Sequence, residues 1–518
     1  MMNDKIDRKI DRLIQYGMEA GLLPDSEQMY AVNLILDLLR LNQYDEMYAI
    51  DDRVSHLMNR GHYGKCLDHV LGDLLEYAVL HGVIKDTQTD RDIFDTKLMN
   101  CLTARPEDVI LQFRRNYEIS PLRATEYFYR FSQNTNYIRR NRLEKDIRWK
   151  VQTKYGVLEI LISLSKPEKD PKAIARTAGQ PSRDYPRCAL CCENVGFAGD
   201  ACHSPRQNHR IIPLNLYGEA CSFQYSPYGY FNEHCIVINN QHVPMVINDS
   251  VFYKLLDFVD LFPHYFIGSN SDLPYVGGSI LSHEHFQGGC CELPVMAAKA
   301  QESICLKECE DTRCEILCWP VSTLRLTGRS HQGIGEASAL ILKVWKEYQD
   351  EESGIFSHTD GEYHNTITPI LRKLHGNYEM YLMLRNNRTS RDRPYGIFHT
   401  RPELFHIKKE GIGVIDAPGL AVLPPRLARE MDLLYESVVS GKDLNENPDT
   451  AKHGKWMKEV LAKHTDWDQD NLKGILREEI GIAFQTMLED AGVFKMDGPG
   501  QRAFKRFLKE IQSRKSKT

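Results

Sequence analysis

The run Gly277-Gly278-Ser279-Ile280-Leu281-Ser282-His283-Glu284-His285-Phe286-Gln287-Gly288-Gly289 holds the residues best suited to chemistry. If residues 281–287 are extended, period-two alternation puts His283, His285 and Gln287 on one face and Glu284 and Phe286 on the other. An imidazole of ordinary pKa, about 6.5, is largely neutral near pH 7, so one ring nitrogen keeps a free lone pair. If Nδ1–H of His285 donates to a backbone carbonyl, Nε2 is left to attack phosphorus. Attack on a phosphoric anhydride gives a phosphoramidate and divides one displacement into two easier ones. Gln287 can donate to a phosphoryl oxygen, yet its amide neither gives up nor takes a proton near neutrality. Such a partner suits a phosphate leaving group that needs no proton, and it supplies no base to activate water. The pattern therefore points to nucleotidyl transfer rather than hydrolysis. The bland alternative is a polar edge strand whose histidines are satisfied by backbone. Glycine pairs on both sides, which let backbone approach a ligand and free N–H groups for phosphate oxygens, weigh against it.

Cys188-Ala189-Leu190-Cys191 has the C-x-x-C spacing of half a zinc site, with Cys192 adjoining it. No second C-x-x-C exists, so further ligands would be histidines, with His242 and His283 the candidates. A site including His283 would anchor the strand that carries His285. A redox pair or plain buried thiols remain the alternatives on spacing alone. Positive charge for a phosphorylated substrate could come from Arg206-Gln207-Asn208-His209-Arg210, through Arg206, Asn208 and Arg210, or from Arg385-Asn386-Asn387-Arg388, through Arg385 and Arg388. His364-Asn365-Thr366-Ile367-Thr368-Pro369 is a further alternation that could border a pocket. The basic run Arg139-Arg140-Asn141-Arg142 reads as a solvated helix face.

The elements that must position these groups are mixed. Residues 1–155 read as mostly helical: Pro24-Asp25-Ser26 offers a cap ahead of Val32, Ile35, Leu36 and Leu39, and Pro106 suits a first helical position. Val157–Leu164, Cys235–Asn239 and Tyr378–Arg385 have strand composition, whereas 249–261 and 337–349 have helical spacing. From Arg426 the helical pattern returns, with Gly441 and Gly492 placed as stops. The expected organisation is α+β, with helical segments at 1–155 and 426–518 flanking two middle halves, 156–300 and 301–425. A chain of 518 residues with 42% hydrophobic and 26% charged composition is of ordinary globular type. The net charge of −6 argues against a nucleic-acid binder. No apolar h-region opens the chain and no apolar run has the length of a membrane span, so a cytoplasmic protein with reduced thiols is expected.

The H-x-H-x-Q run resembles the transferase branch of the histidine-triad superfamily, in which the hydrolase branch has a third His in place of Gln. The wider chain resembles the class II galactose-1-phosphate uridylyltransferases of bacteria. The match is carried by 164–171, 206–213, 223–228, 278–289, 364–370, 385–390 and 406–410, in one order. The resemblance implies exchange of UMP between UDP-glucose and galactose 1-phosphate by a ping-pong route, with His285 bearing the uridylyl group and Gln287 bonding the phosphoryl group. It implies two histidine-triad-like half-domains of antiparallel sheet with helices. Ligands matching Cys188, Cys191, His242 and His283 hold zinc in class I relatives, so a structural zinc and no organic cofactor is the expectation. Asn270 and Ser279 fall near nucleotide-phosphate contacts of that class. A homodimer is the candidate assembly. One departure stands out: Phe398-His399-Thr400-Arg401 replaces the usual Phe-His-Pro-His. Dinucleoside polyphosphate phosphorolysis on the same site and a zinc-stabilised binding module are the competing readings.

Overall fold

The run from Met380 to Leu384 is apolar without alternation because the strand that carries it is buried on both faces there. A computed structural model describes residues 3–45, 51–164, 185–200, 203–278, 280–306 and 311–513. In chain order its strands are β1 Ile147–Thr153, β2 Gly156–Ile162, β3 Ile212–Leu216, β4 Glu219–Tyr225 and β5 Cys235–Asn239. β6 Phe266–Ser269, β7 His285–Gly289, β8 Ala300–Cys305, β9 Arg313–Leu317 and β10 Thr323–Gly328 follow. After the small hairpin of β11 His358–Thr359 and β12 Glu362–Tyr363 come β13 Asn365–Leu374, β14 Asn377–Asn386 and β15 Leu420–Leu423.

Ten of these form one sheet in the order β3-β4-β5-β7-β6-β13-β14-β10-β9-β8, every neighbouring pair antiparallel. The five strands before residue 300 make one half, the five after it the other, and β6–β13 joins them. The architecture is thus α+β, as expected, with the two half-sheets fused into one. The strand expected at Val157–Leu164 lies instead in a second sheet, β1-β2-β15, whose β2–β15 pair is parallel.

The sheet divides the core in two. Met380, Leu382 and Leu384 of β14 join the N-terminal helices and helices Asp249–Leu261 and His331–Glu347. Tyr381 and Met383 face the other side, with β2, β15 and helix Leu472–Ala491. On β7 the same alternation sends Phe286 into the first core, so His285 and Gln287 face the opposite side.

Several local expectations hold and some need correction. Helix Pro106–Ile119 begins at its proline, with Glu107 and Asp108 complementing its N-terminal dipole. Near residue 25 a turn of 3₁₀ helix, Asp25–Glu27, intervenes, so neither Asp25 nor Ser26 caps helix Gln28–Leu39. Gly441 ends helix Arg426–Val439 in the left-handed region, at φ 67°. Gly492 ends Leu472–Ala491 for a different reason: a Cβ there would lie 2.2 Å from the Pro320 carbonyl oxygen. The basic run near 140 is not simply solvated. Arg139 reaches Asp92 at 3.3 Å and Asp95 at 3.1 Å, and Arg142 reaches Asp92 at 2.6 Å. Among the described residues no helix is long and apolar enough to cross a membrane.

Candidate active site and metal cluster

Cys188 and Cys191 lie on a tight turn whose carbonyls accept from Asn194 Nδ2, at 2.8 and 2.9 Å. Their sulfurs are 3.4 Å apart. Cys188 Sγ is 3.2 Å from His283 Nδ1, and Cys191 Sγ is 3.1 Å from His242 Nδ1 and 3.6 Å from His283 Nδ1. All four ligand atoms lie within 4.8 Å of one another. Tetrahedral zinc with bonds of about 2.3 Å to sulfur and 2.0–2.1 Å to nitrogen separates its ligand atoms by roughly 3.3–3.8 Å. The four residues fit that ion. Cys192 is turned out of the cluster, its sulfur 3.3 Å from Asn240 Oδ1, which resolves which thiols belong to it. The Cys191 thiol donates to the Cys188 sulfur and holds it well below the ordinary thiol range, with burial opposing. His283 Nε2–H donates to the Asn239 carbonyl at 2.8 Å, which leaves Nδ1 for the metal.

The same residue positions its neighbour. The backbone carbonyl of His283 accepts from Nδ1–H of His285 at 2.8 Å, so the lone pair of the buried His285 ring is on Nε2. Burial pulls this imidazole below its ordinary pKa, the bond to the His283 carbonyl opposing, and the ring is neutral. Between the two histidines Glu284 points the other way, as alternation requires. It takes Lys254 Nζ on both oxygens, at 3.0 and 2.8 Å, and Asn239 Nδ2 at 2.8 Å.

His285 and Gln287 line a cavity of about 240 Å³. Its walls include Arg206, Asn270, Gly277 and Gly278 from the expected set, and Gln224, Tyr228, Tyr230, His234, Glu410 and Asp416, which the sequence reading did not single out. Arg206 sits over the Tyr137 ring at 5.3 Å. Asn270 is fixed by the Val414 amide, which donates to its Oδ1 at 2.9 Å. The glycine pairs serve packing as much as ligand approach. A Cβ on Gly277, at φ 117°, would meet Gly413 Cα at 2.6 Å, and one on Gly288 would meet the Phe266 carbonyl oxygen at 2.3 Å.

Other expected binders lie elsewhere. Asn208 is spent on the Thr135 carbonyl at 2.7 Å. Arg210 is buried and donates to the carbonyls of Ala104, Gln207 and His209, each at 2.8 Å. Arg385 is buried, reaches Thr368 Oγ1 at 3.4 Å, and is pulled down to about 10 by burial. Arg388 donates to the Gly354 carbonyl at 2.9 Å and lies over Phe356. None of the four is among the residues lining the cavity with His285: Asn208, Arg210 and Arg388 donate to backbone carbonyls, and Arg385 reaches the Thr368 hydroxyl on β13 while its Nε has no partner among the described residues. His364 is likewise held inside the protein, by Thr359 Oγ1 at 2.6 Å and Asn387 Oδ1 at 2.9 Å. Ser279 and residues 165–171 lie outside the described residues.

A signal for Gln224 was present, since it is the polar residue between Phe223 and Tyr225 on a strand. Glu410 ends the family-like stretch 406–410 but no role was read for it, nothing local marks Asp416, and the loop carrying both lines the cavity with His285 and Gln287. At the departure from the family pattern, Arg401 donates through its backbone amide and guanidinium to Asp490, at 2.5–3.1 Å, and ties this loop to helix Leu472–Ala491.

Residues 40–244 match the family model described as galactose-1-phosphate uridyl transferase, N-terminal domain, and residues 258–457 match its C-terminal domain. A galactose-1-phosphate uridylyltransferase of Clostridium acetobutylicum is 42% identical over 506 residues, covering 97% of this chain and 99% of that one. Those of Fusobacterium nucleatum and Bacillus subtilis are 44% and 41% identical, covering 98% of this chain and 99% and 98% of theirs. A yeast Ap4A phosphorylase of solved structure is 10% identical and covers 61% of this chain and 86% of that one at a TM-score of 0.33, a likeness too slight to argue from. With both halves of the family model matched in order around the His285 cavity and near full-length identity above 40%, this chain belongs to the galactose-1-phosphate uridylyltransferase family.

Proposed function

We propose that the protein transfers UMP from UDP-glucose to galactose 1-phosphate through a covalent uridylyl-histidine at His285. The observation that carries this reading is the bond from His285 Nδ1–H to the His283 carbonyl at 2.8 Å, which aims an unprotonated Nε2 into the cavity. Nε2 attacks the α-phosphorus, an N–P bond forms, and the P–O bond to glucose 1-phosphate breaks with its electrons going to the leaving phosphate. The positive charge left on the ring is shared with the carbonyl that holds Nδ1–H. A phosphate oxygen of galactose 1-phosphate then attacks the same phosphorus, the N–P bond breaks, and UDP-galactose leaves with His285 neutral again. No proton moves in either step, which agrees with a glutamine rather than an acid at 287.

The remaining assignments follow from position. Gln287 donates its amide hydrogens to the phosphoryl group, and Arg206 adds positive charge at the cavity wall. Glu410 and Asp416 present carboxylate oxygens suited to sugar hydroxyls. Cys188, Cys191, His242 and His283 would hold zinc, which when bound supplies a rigid anchor for the His283 backbone. The division near residue 300 serves the reading too: nucleophile and metal ligands come from 156–300, and the carboxylate wall from 301–425. Thiolate ligands and sugar nucleotide substrates both suit a reducing cytoplasm.

Protein mixed with uridine-labelled UDP-glucose and no acceptor should release about one glucose 1-phosphate per chain and retain the label in an acid-labile bond. His285→Gly should fold normally and retain none. Label on another residue, or a burst only with a dinucleoside polyphosphate, would overturn the assignment.

A further inference from the structure

Two glutamines on the cavity wall are supported in the same manner. Gln287 of β7 has Oε1 3.1 Å from Nε2 of His234, and Gln224 of β4 has Oε1 2.7 Å from Nε2 of His209. Gln224 pairs across the sheet with Ile236, and Ile236 pairs with Gln287. The two amides therefore share one face, on backbones about 10 Å apart, two strand spacings. Both histidines are buried and stacked, His209 on Tyr137 with ring centres 4.4 Å apart and His234 on Tyr230 at 5.1 Å.

The tautomer follows from what surrounds each ring. Burial pulls His209 down to about 3 and His234 down to about 4, so each carries a single N–H. Each Nδ1 is buried and has no hydrogen-bond partner among the described residues. A proton on Nε2 gives the glutamine oxygen its donor. A proton on Nδ1 would bury an N–H against nothing and set two acceptors head to head. The oxygen end of each amide is therefore tied to its histidine, and the NH₂ end is turned away from it. For Gln224, 4% exposed and lining the cavity, that NH₂ group has no protein partner among the described residues. An unpaired amide donor at a cavity wall, its oxygen end already held, is placed to meet an oxygen of whatever ligand enters there.

We infer that Gln224 is a second substrate-reading amide, preset by His209 as Gln287 is by His234, which donates to a substrate oxygen remote from the reacting phosphorus. The inference rests on the uridylyl-transfer reading and adds a binding residue to that site. The acceptor is a carbonyl or hydroxyl oxygen, carried by the nucleoside or by the hexose. The two half-reactions separate these sources.

The test is steady-state and half-reaction kinetics on Gln224→Met, Gln224→Glu, His209→Phe and the pair His209→Phe/Gln224→Met. Loss of one neutral hydrogen bond predicts about a tenfold fall in kcat/KM for Gln224→Met. Gln224→Glu keeps the shape and the bond from His209 but replaces the donor by an acceptor, so its loss should be at least as large. If the oxygen is on the nucleoside, the KM for UDP-glucose rises and that for galactose 1-phosphate does not. If it is on the hexose, both rise. His209→Phe should reproduce the loss in the wild-type background and add less than twofold to Gln224→Met, because it acts only through that amide. Variants must still bind one uridylyl group per chain, which shows that they are folded and that His285 is working. Near wild-type kinetics for both Gln224 variants, or a His209→Phe defect that persists without Gln224, would overturn the inference.

Discussion

Lys254→Met tests whether the strand carrying the nucleophile is held from behind by charge. Lys254 is 2% exposed on helix Asp249–Leu261, and its ammonium bonds both oxygens of Glu284 at 3.0 and 2.8 Å and Glu219 at 2.9 Å. Its pKa stays above the ordinary lysine value: burial pulls it down, but the two carboxylates outweigh that. Methionine fills nearly the same volume, so the change is mainly electrical. Glu219 is well exposed and can turn to water, whereas Glu284 is buried and keeps only Asn239 as a partner. Removing one partner of a buried pair costs about 3–5 kcal/mol, most of it the penalty of the stranded charge. Because Glu284 stands between the proposed metal ligand His283 and the proposed nucleophile His285, the relaxation should also disturb β7, so the glucose 1-phosphate burst should slow. Lys254→Met/Glu284→Gln removes the stranded charge and should recover at least half of the lost stability in urea unfolding. A single-variant loss below about 1 kcal/mol, or a double variant no better than the single, would refute the reasoning.

Three further outcomes follow. Protein purified without chelator should hold one zinc per chain by elemental analysis, and Cys191→Ser should lose both the metal and most uridylyl binding; full adduct formation without zinc would sever the cluster from the nucleophile. His209 and His234 should make the fold acid-sensitive, since their folded pKa values, about 3 and about 4, lie below the unfolded value near 6.5. Below pH 6.5 the unfolded chain takes up protons that the folded chain refuses, so stability present above that pH is lost toward pH 4, at about 1.4 kcal/mol per pH unit for each ring. His234→Phe should flatten that slope in urea midpoints, and an unchanged slope would count against it. Arg401→Ala should free the 398–405 loop from helix Leu472–Ala491 by removing the Asp490 contact, which amide hydrogen exchange in that helix would register as lost protection; unchanged protection there would show the contact to be idle.

The sequence by itself placed His285 and Gln287 on one face and Phe286 on the other, because alternation along a strand needs no knowledge of the partner strands; the strand starts at His285, later than expected, and His283 lies in the bend before it. The same local logic located β5 at Cys235–Asn239, helix Asp249–Leu261 and the proline start of helix Pro106–Ile119. C-x-x-C spacing suggested half of a metal site with His242 and His283 as candidates for the rest, and the structure brings these residues, roughly 50 and 90 positions away, to the two thiols. Charge clusters were read less well. Arg210 and Asn208 were candidate phosphate binders, but a run of residues does not reveal which backbone carbonyls the fold leaves in need of a donor. Of that group only Arg206 reaches the cavity. Tertiary structure alone decided the far wall, Glu410 and Asp416, and the histidines that fix two glutamine amides. Those relations join strands and loops distant in sequence, and an amide's orientation depends on a neighbour that only packing supplies.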